Sequence, residues 1–268
     1  LYFSKGDATY WYEIHGKGIP VVMLHGFTGS TATWRPFVEE WVKIGYQVIT
    51  IDLPGHGKTD TGSPRSMENC CADLYALFQS LELEPFHLLG YSMGGRTALS
   101  YAMFYPETVR SLMLESTSPG LAGEEERKVR KENDEMLARK IVREGVSSFV
   151  DIWQDLPLFS SQKSLSEEKQ EMIRSERLSQ SAEGLAESLL SMGTGSQPSW
   201  WDQLGNLEKP VLLIVGELDQ KFVEINKKMQ KQLKSGNMIV CEHAGHAVHV
   251  EKPESFDRIV TEFMEIHN

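Results

Sequence analysis

The sequence predicts an α/β fold: a mostly parallel central sheet with helices on both faces and a helical lid insertion between two of its strands. Three observations carry this. Short, almost wholly apolar runs such as Val21-Val22-Met23-Leu24 and Val211-Leu212-Leu213-Ile214-Val215 have the length and composition of strands buried on both faces. Segments of helical period alternate with those runs, as in successive strand–helix–strand units. From Ser118 to Leu207 the strands stop, and charged helical stretches with Gly, Ser and Pro punctuation replace them.

Taken in order, Thr9 to His15 mixes aromatic and β-branched residues at strand spacing, and Val21–Leu24 and Val48-Ile49-Thr50-Ile51 follow as buried strands. Met67 to Leu83 has apolar residues at 67, 70, 74, 77, 78 and 81, a helical period. Phe86 to Leu89 is the next strand, Arg96 to Tyr105 a largely apolar helix, and Val109 to Leu114 a further strand. Glu124 to Ala138 is heavily charged, and Gly193-Thr194-Gly195-Ser196-Gln197-Pro198 reads as a loop. Val211–Val215 and Met238-Ile239-Val240 resume the strands, and Phe256, Ile259, Val260, Phe263 and Ile266 mark an amphipathic C-terminal helix. Residues 1–117 and 208–268 are therefore expected to form the core. Residues 118–207 are expected to form a helical lid over the C-terminal strand ends, where open α/β sheets place their sites. No function is assigned to residues 1 to 5.

A chain of 268 residues with 40% hydrophobic and 24% charged residues has an ordinary globular composition. Its formal net charge of −11 argues against nucleic acid or an anionic membrane as the main partner, although a local cluster of arginines could still hold a small anion. No run approaches the roughly 20 apolar residues of a membrane span, and no secretory apolar segment stands near the start. The cysteines are Cys70, Cys71 and Cys241; they have no metal-ligand spacing and suggest no disulfide framework. A reducing, cytoplasmic setting is expected, with the oligomeric state, monomer or homodimer, left open.

The chemistry centres on Leu88-Leu89-Gly90-Tyr91-Ser92-Met93-Gly94-Gly95-Arg96. An apolar strand runs into Gly-x-Ser-x-Gly and then directly into a helix, the pattern of a nucleophile elbow. Glycines at 90 and 94 leave out side chains that would clash, and the Met93 N–H at the helix start is a candidate oxyanion donor. Arg96 plants a positive charge one helical turn beyond Ser92. A serine needs a histidine to take its proton, and the histidine needs an acid to orient it. Gly216-Glu217-Leu218-Asp219 follows one late strand, and Glu242-His243-Ala244-Gly245-His246 follows the next. His25-Gly26-Phe27-Thr28-Gly29-Ser30 follows the strand at 21–24, and Asp52-Leu53-Pro54-Gly55-His56-Gly57 forms a glycine turn in which His56 reads as structural.

These motifs make the whole chain resemble the α/β-hydrolase superfamily. In that superfamily's order, acid and then histidine follow the serine, which favours Asp219 over Glu217 and His246 over His243 and His249. The His25–Ser30 segment resembles the oxyanion loop, with Phe27 N–H joining Met93 N–H. A closer resemblance is to the 2-succinyl-6-hydroxy-2,4-cyclohexadiene-1-carboxylate (SHCHC) synthases of menaquinone biosynthesis. It is carried by His25–Ser30, Gly90–Arg96, Glu115-Ser116-Thr117-Ser118-Pro119-Gly120-Leu121, Glu125 to Arg130, Met192 to Trp201 and Ala244-Gly245-His246-Ala247-Val248-His249.

The resemblance implies a lyase that eliminates pyruvate from a cyclohexene bearing an enolpyruvyl ether, with no cofactor and no metal. The implied substrate is a small tricarboxylate, which gives Arg96 a physical meaning, because a guanidinium offers a planar fork to a carboxylate. By position in the family motifs, Tyr91, Arg130, Trp153 and Arg177 match substrate-contacting residues. Arg130 and Arg177 stand in highly charged segments, so a solvated helix face is the competing reading; Trp153 competes as lid packing. Trp200 and Trp201 are expected to anchor the lid. Two rival functions share these residues. One is a serine carboxylesterase or carbon–carbon bond hydrolase; the other is a non-catalytic binder built on the same scaffold.

Overall fold

The computed structural model describes residues 1–83 and 85–268. Its strands are β1 (Tyr2–Lys5), β2 (Ala8–His15), β3 (Ile19–Leu24), β4 (Tyr46–Ile51), β5 (Asp60–Thr61), β6 (Phe86–Tyr91), β7 (Val109–Glu115), β8 (Val211–Gly216) and β9 (Gly236–Cys241). Its helices are α1 (Arg35–Lys43), α2 (Met67–Ser80), α3 (Met93–Phe104), α4 (Glu124–Trp153), α5 (Glu167–Leu178), α6 (Ala182–Met192), α7 (Gln220–Gln232), α8 (Val248–Glu251) and α9 (Pro253–Ile266). Among the described residues the strands form one sheet in the order β1-β2-β4-β3-β6-β7-β8-β9, with the short β5 beside β2. From β4 onward every neighbouring pair is parallel, while β1, β2 and β5 run antiparallel at one edge.

Both sheet faces are covered, which is why the central strands are apolar without alternation. Val22, Leu24, Leu88, Leu112, Leu114 and Leu213 pack with α2 and α3 through Leu74, Phe78, Leu99 and Tyr101. The residues between them, Val21, Met23, Leu89, Met113, Leu212 and Ile214, pack with α1 and α9 through Phe37, Trp41, Phe256 and Phe263. Each such side chain contributes about 1.5–3 kcal/mol on burial.

The expected strands and helices appear, most of them a residue or two longer than their apolar runs. The helix expected to reach Leu83 stops at Ser80, with Leu81 as its cap and Glu82 at φ 51. Tyr2–Lys5, to which no role was assigned, forms β1 against β2. Helices α1 and α7 were not expected; each is mostly polar and buries one stripe, Phe37 and Trp41 in α1, Val223 and Met229 in α7.

Between β7 and β8 the chain forms α4, α5 and α6 above the C-terminal ends of the strands. A core of their own holds α4 to α6, with Ala138, Ile141, Phe149 and Val150 against Leu185, Ala186 and Leu189. Gly145 at φ 81 kinks α4. Trp200 ties this region down by donating its indole N–H to Ser100 Oγ at 2.9 Å, and Trp201 donates to the Gly120 carbonyl at 2.9 Å. No helix among the described residues is long and apolar enough to cross a membrane.

Candidate active site

Ser92 occupies the turn between β6 and α3 with φ 49 and ψ −104. A non-glycine residue there stores strain of order 1–3 kcal/mol. The surroundings enforce it: a Cβ at Gly90 would overlap the Gly94 carbonyl, and a Cβ at Gly94 would overlap the Leu24 carbonyl. The Ser92 N–H donates to the Glu115 carbonyl at 2.9 Å, and the Ser92 carbonyl accepts from Arg96 N–H at 2.9 Å. The side chain is thereby aimed into the space above the sheet.

Asp219 follows β8 and caps α7, its Oδ1 accepting the Phe222 N–H at 3.4 Å. Its Oδ2 accepts from His246 Nδ1–H at 2.6 Å, and His246 Nε2 lies 3.1 Å from Ser92 Oγ, which donates to it. Asp219 and His246 are only 7% and 2% exposed, so water does not compete for these hydrogen bonds. The neighbouring candidates sit elsewhere. Glu217 accepts the N–H of the exposed His243 at 2.9 Å, and His249 is turned into the core against Glu115.

The loop at His25–Ser30 is shaped by a buried imidazole. His25 Nε2 accepts the Leu53 N–H at 2.9 Å, so its proton resides on Nδ1 and is donated to the Gly26 carbonyl at 2.8 Å. Burial pushes the His25 pKa down to about 4, which keeps that tautomer neutral. Thr28 at φ 70 and the Gly29-to-Gly26 hydrogen bond of 3.0 Å complete the turn. The amides of Phe27 and Met93 donate to no acceptor among the described residues, and both residues border the same cavity as Ser92 and His246.

That cavity has a volume of about 960 Å³. Arg96 lies on its wall, donating Nη1–H to the Met192 carbonyl at 2.7 Å and to Gln197 Oε1. Burial, with the neighbouring Arg130, lowers the Arg96 pKa to about 10, so the guanidinium remains charged at neutral pH. Arg130 also borders the cavity, its Nε donating to Asp134 Oδ1 at 2.8 Å. Trp153 stacks edge-on against Phe27 at 5.4 Å between centroids, and its buried indole N–H has no partner among the described residues. Tyr91 lines the wall beside His246, with its phenol pKa held well above the usual range, first by burial and then by the Glu115 carboxylate.

Arg177 departs from this arrangement. Its guanidinium stacks on the Phe159 ring at 4.7 Å, donates to Gln162 Oε1 at 3.0 Å, and borders an adjoining cavity of about 470 Å³. Phe159 faces both cavities and stands between them. Several wall residues escaped sequence reasoning: Phe222, whose ring packs 4.7 Å from that of His246, Phe159, and Lys221 and Lys228 on α7. Phe159 lies in an irregular segment, and the α7 lysines look like any solvated helix face. Gln197 stood within a recognised stretch, and its contact with Arg96 had no signal of its own.

A strained serine, a histidine oriented by a buried acid, two unpartnered amides and a wall bearing arginines define a hydrolase-type site. The alpha/beta hydrolase fold family matches residues 19–253, and the chain belongs to that family. A Bacillus subtilis (strain 168) protein named as a 2-succinyl-6-hydroxy-2,4-cyclohexadiene-1-carboxylate synthase is 48% identical over 247 residues, covering 91% of this chain and 89% of that protein. Within the α/β hydrolases the chain thus belongs with the SHCHC synthases. The solved structure of MenH from S. aureus superposes with a TM-score of 0.93 at 35% identity, covering 96% of this chain and 98% of that one. A malate-bound thermophilic esterase from Thermogutta terrifontis gives a TM-score of 0.85 at 28% identity, covering 97% and 95% of the two chains.

Proposed function

We propose that this protein is a carbon–oxygen lyase of menaquinone biosynthesis. It eliminates pyruvate from 2-succinyl-5-enolpyruvyl-6-hydroxy-3-cyclohexene-1-carboxylate to give 2-succinyl-6-hydroxy-2,4-cyclohexadiene-1-carboxylate. The observation that carries the reading is that the formed triad opens onto a wall bearing Arg96, a half-buried guanidinium bound to a carbonyl and an amide rather than to a carboxylate. A neutral ester gains nothing from such a cation, whereas a tricarboxylate gains a charge-assisted hydrogen bond.

In the proposed mechanism, His246, oriented by Asp219, draws the proton of Ser92, and the Ser92 oxygen takes the ring proton. Charge moves to the succinyl carbonyl, whose oxygen is stabilised by the Phe27 and Met93 amides. The ring C–O bond breaks as the new ring double bond forms. The enolate of pyruvate departs, accepts the proton relayed through Ser92 and His246, and tautomerises; no acyl-enzyme forms. Arg96 and Arg130 hold carboxylates, with Tyr91 and Trp153 bordering the ring. Arg177 reaches the substrate once Phe159 moves aside. Residues 118–207 act as the lid on the core formed by 1–117 and 208–268. Three free, buried cysteines and a net charge of −11 support a cytoplasmic enzyme with no nucleic-acid partner.

The test supplies the enolpyruvyl substrate and follows pyruvate with a coupled dehydrogenase, beside a p-nitrophenyl ester. Fast pyruvate release with negligible ester cleavage is expected. The opposite pattern would make the protein an esterase, and binding without turnover of either would make it a receptor.

A further inference from the structure

A second carboxylate–imidazole pair lies directly behind the triad. Glu115, the last residue of β7, is fully buried, and His249 is 4% exposed. The Glu115 carboxylate accepts two convergent donors from His249, the backbone N–H at 3.1 Å and Nδ1–H at 2.9 Å. The Glu115 backbone carbonyl accepts the N–H of Ser92 itself at 2.9 Å. One residue therefore grips the nucleophile's turn with its main chain and the loop that carries His246 with its side chain. The Tyr91 ring fills the space between, with centroids 4.6 Å from His249 and 5.5 Å from His246. Trp34 and Phe256 close the far side of His249 at 5.0 and 5.9 Å.

A buried carboxylate is stable only when it is hydrogen-bonded, and here its donors come from the segment just after the catalytic histidine. Neither residue lines the active-site cavity; Tyr91 and the triad stand between them and it. Its chemistry is therefore positional. We propose that Glu115 and His249 are positioning residues that set the distance between Ser92 Oγ and His246 Nε2. This rests on the triad reading above. Bridging β7 to the loop after β9, the pair keeps that distance near 3.1 Å while the substrate and lid rearrange above it. An amide at position 115 is uncharged: an oxygen in the place of Oε1 meets both His249 donors without charge assistance, and an NH2 replaces the Oε2 that lies 2.9 Å from Nδ1, so the grip on the histidine weakens.

The experiment compares Glu115→Gln, His249→Leu and His249→Asn in the full chain; the asparagine Nδ2–H stands where the imidazole Nδ1–H donates. Two rates are read: pyruvate release, and phosphonylation of Ser92 by a fluorophosphonate probe, which reports triad geometry without the natural substrate. Glu115→Gln and His249→Leu should lower kcat and the labelling rate by about 10- to 100-fold while changing KM less than about threefold, as a small misplacement of reacting groups does. His249→Asn should recover most of both rates. Folded fraction is measured by thermal unfolding in each case. The proposal is overturned if labelling falls only in proportion to lost folded protein, or if His249→Leu and His249→Asn behave alike. A wild-type protein that is labelled at Ser92 but releases no pyruvate would defeat the proposed function and leave the positioning role standing.

Discussion

Glu176, on α5, accepts hydrogen bonds from the N–H and the hydroxyl of Ser30, both at 3.0 Å, and from the Thr33 hydroxyl at 2.7 Å. Ser30 ends the loop that carries the Phe27 amide, so one carboxylate of the helical region between β7 and β8 clasps the loop proposed to stabilise the oxyanion. Hydrogen bonds to a charged group contribute about 1.5–3 kcal/mol each, less where exposed. Glu176→Ala should lower kcat/KM about tenfold, whereas Glu176→Gln, which keeps an acceptor oxygen, should lose about threefold or less. Steady-state kinetics of both variants decide, and equal losses would refute the clasp.

In the proposed mechanism Ser92 takes the ring proton, and Ser92→Ala removes that group at the cost of a single oxygen from the cavity wall. Pyruvate release should fall by roughly three decades or more, while substrate affinity measured by calorimetry changes only a few-fold. Activity surviving this change would move the base role to His246 alone.

Arg96→Met keeps much of the side chain's bulk and removes its charge. The loss of one charge-assisted hydrogen bond to a substrate carboxylate, about 1.5–3 kcal/mol, corresponds to roughly one to two decades in kcat/KM. Most of it should appear in KM. An unchanged kcat/KM would show that Arg96 serves Gln197 and the Met192 carbonyl alone.

Stability should fall on the acid side. Burial lowers the pKa of His25 to about 4, that of His56 to about 3 with His25 adding to it, and that of His87 to about 4. Each is neutral in the fold but charges near pH 6.5 once unfolded. Their contribution is therefore complete above that pH and is lost as the pH falls through the folded values. For His25 alone the difference is on the order of 3 kcal/mol. Burial raises the carboxyls of Asp52 and Asp134, which opposes the loss in the lower part of that window. Calorimetric thermal midpoints from pH 7.5 to 4 should decline progressively, and a flat profile down to pH 4.5 would contradict the assignment.

Much of this protein was legible before any coordinates. The buried strands announce themselves because helices cover both faces of the sheet, which forces apolar residues at successive positions. The elbow is legible because only Gly90 and Gly94 tolerate backbone contact there. The serine, acid and histidine are legible because each falls at a strand end in a fixed order. Position along the chain was a poorer guide for the side chains of α4 and α5 that reach toward the site. Arg130 borders the main cavity, whereas Arg177, read from the same kind of motif, lies behind Phe159 in a second one.

The local pattern of the chain determined the sheet, its helices and the chemistry of the triad, since each follows from backbone sterics and from burial repeated at a fixed period. Tertiary structure alone decided which long side chains meet. Gln197 on Arg96, Glu176 on Ser30 and Glu115 on His249 join residues far apart in sequence. Such contacts leave no period to read, because they arise only when separate elements pack and a buried charge must find its donors.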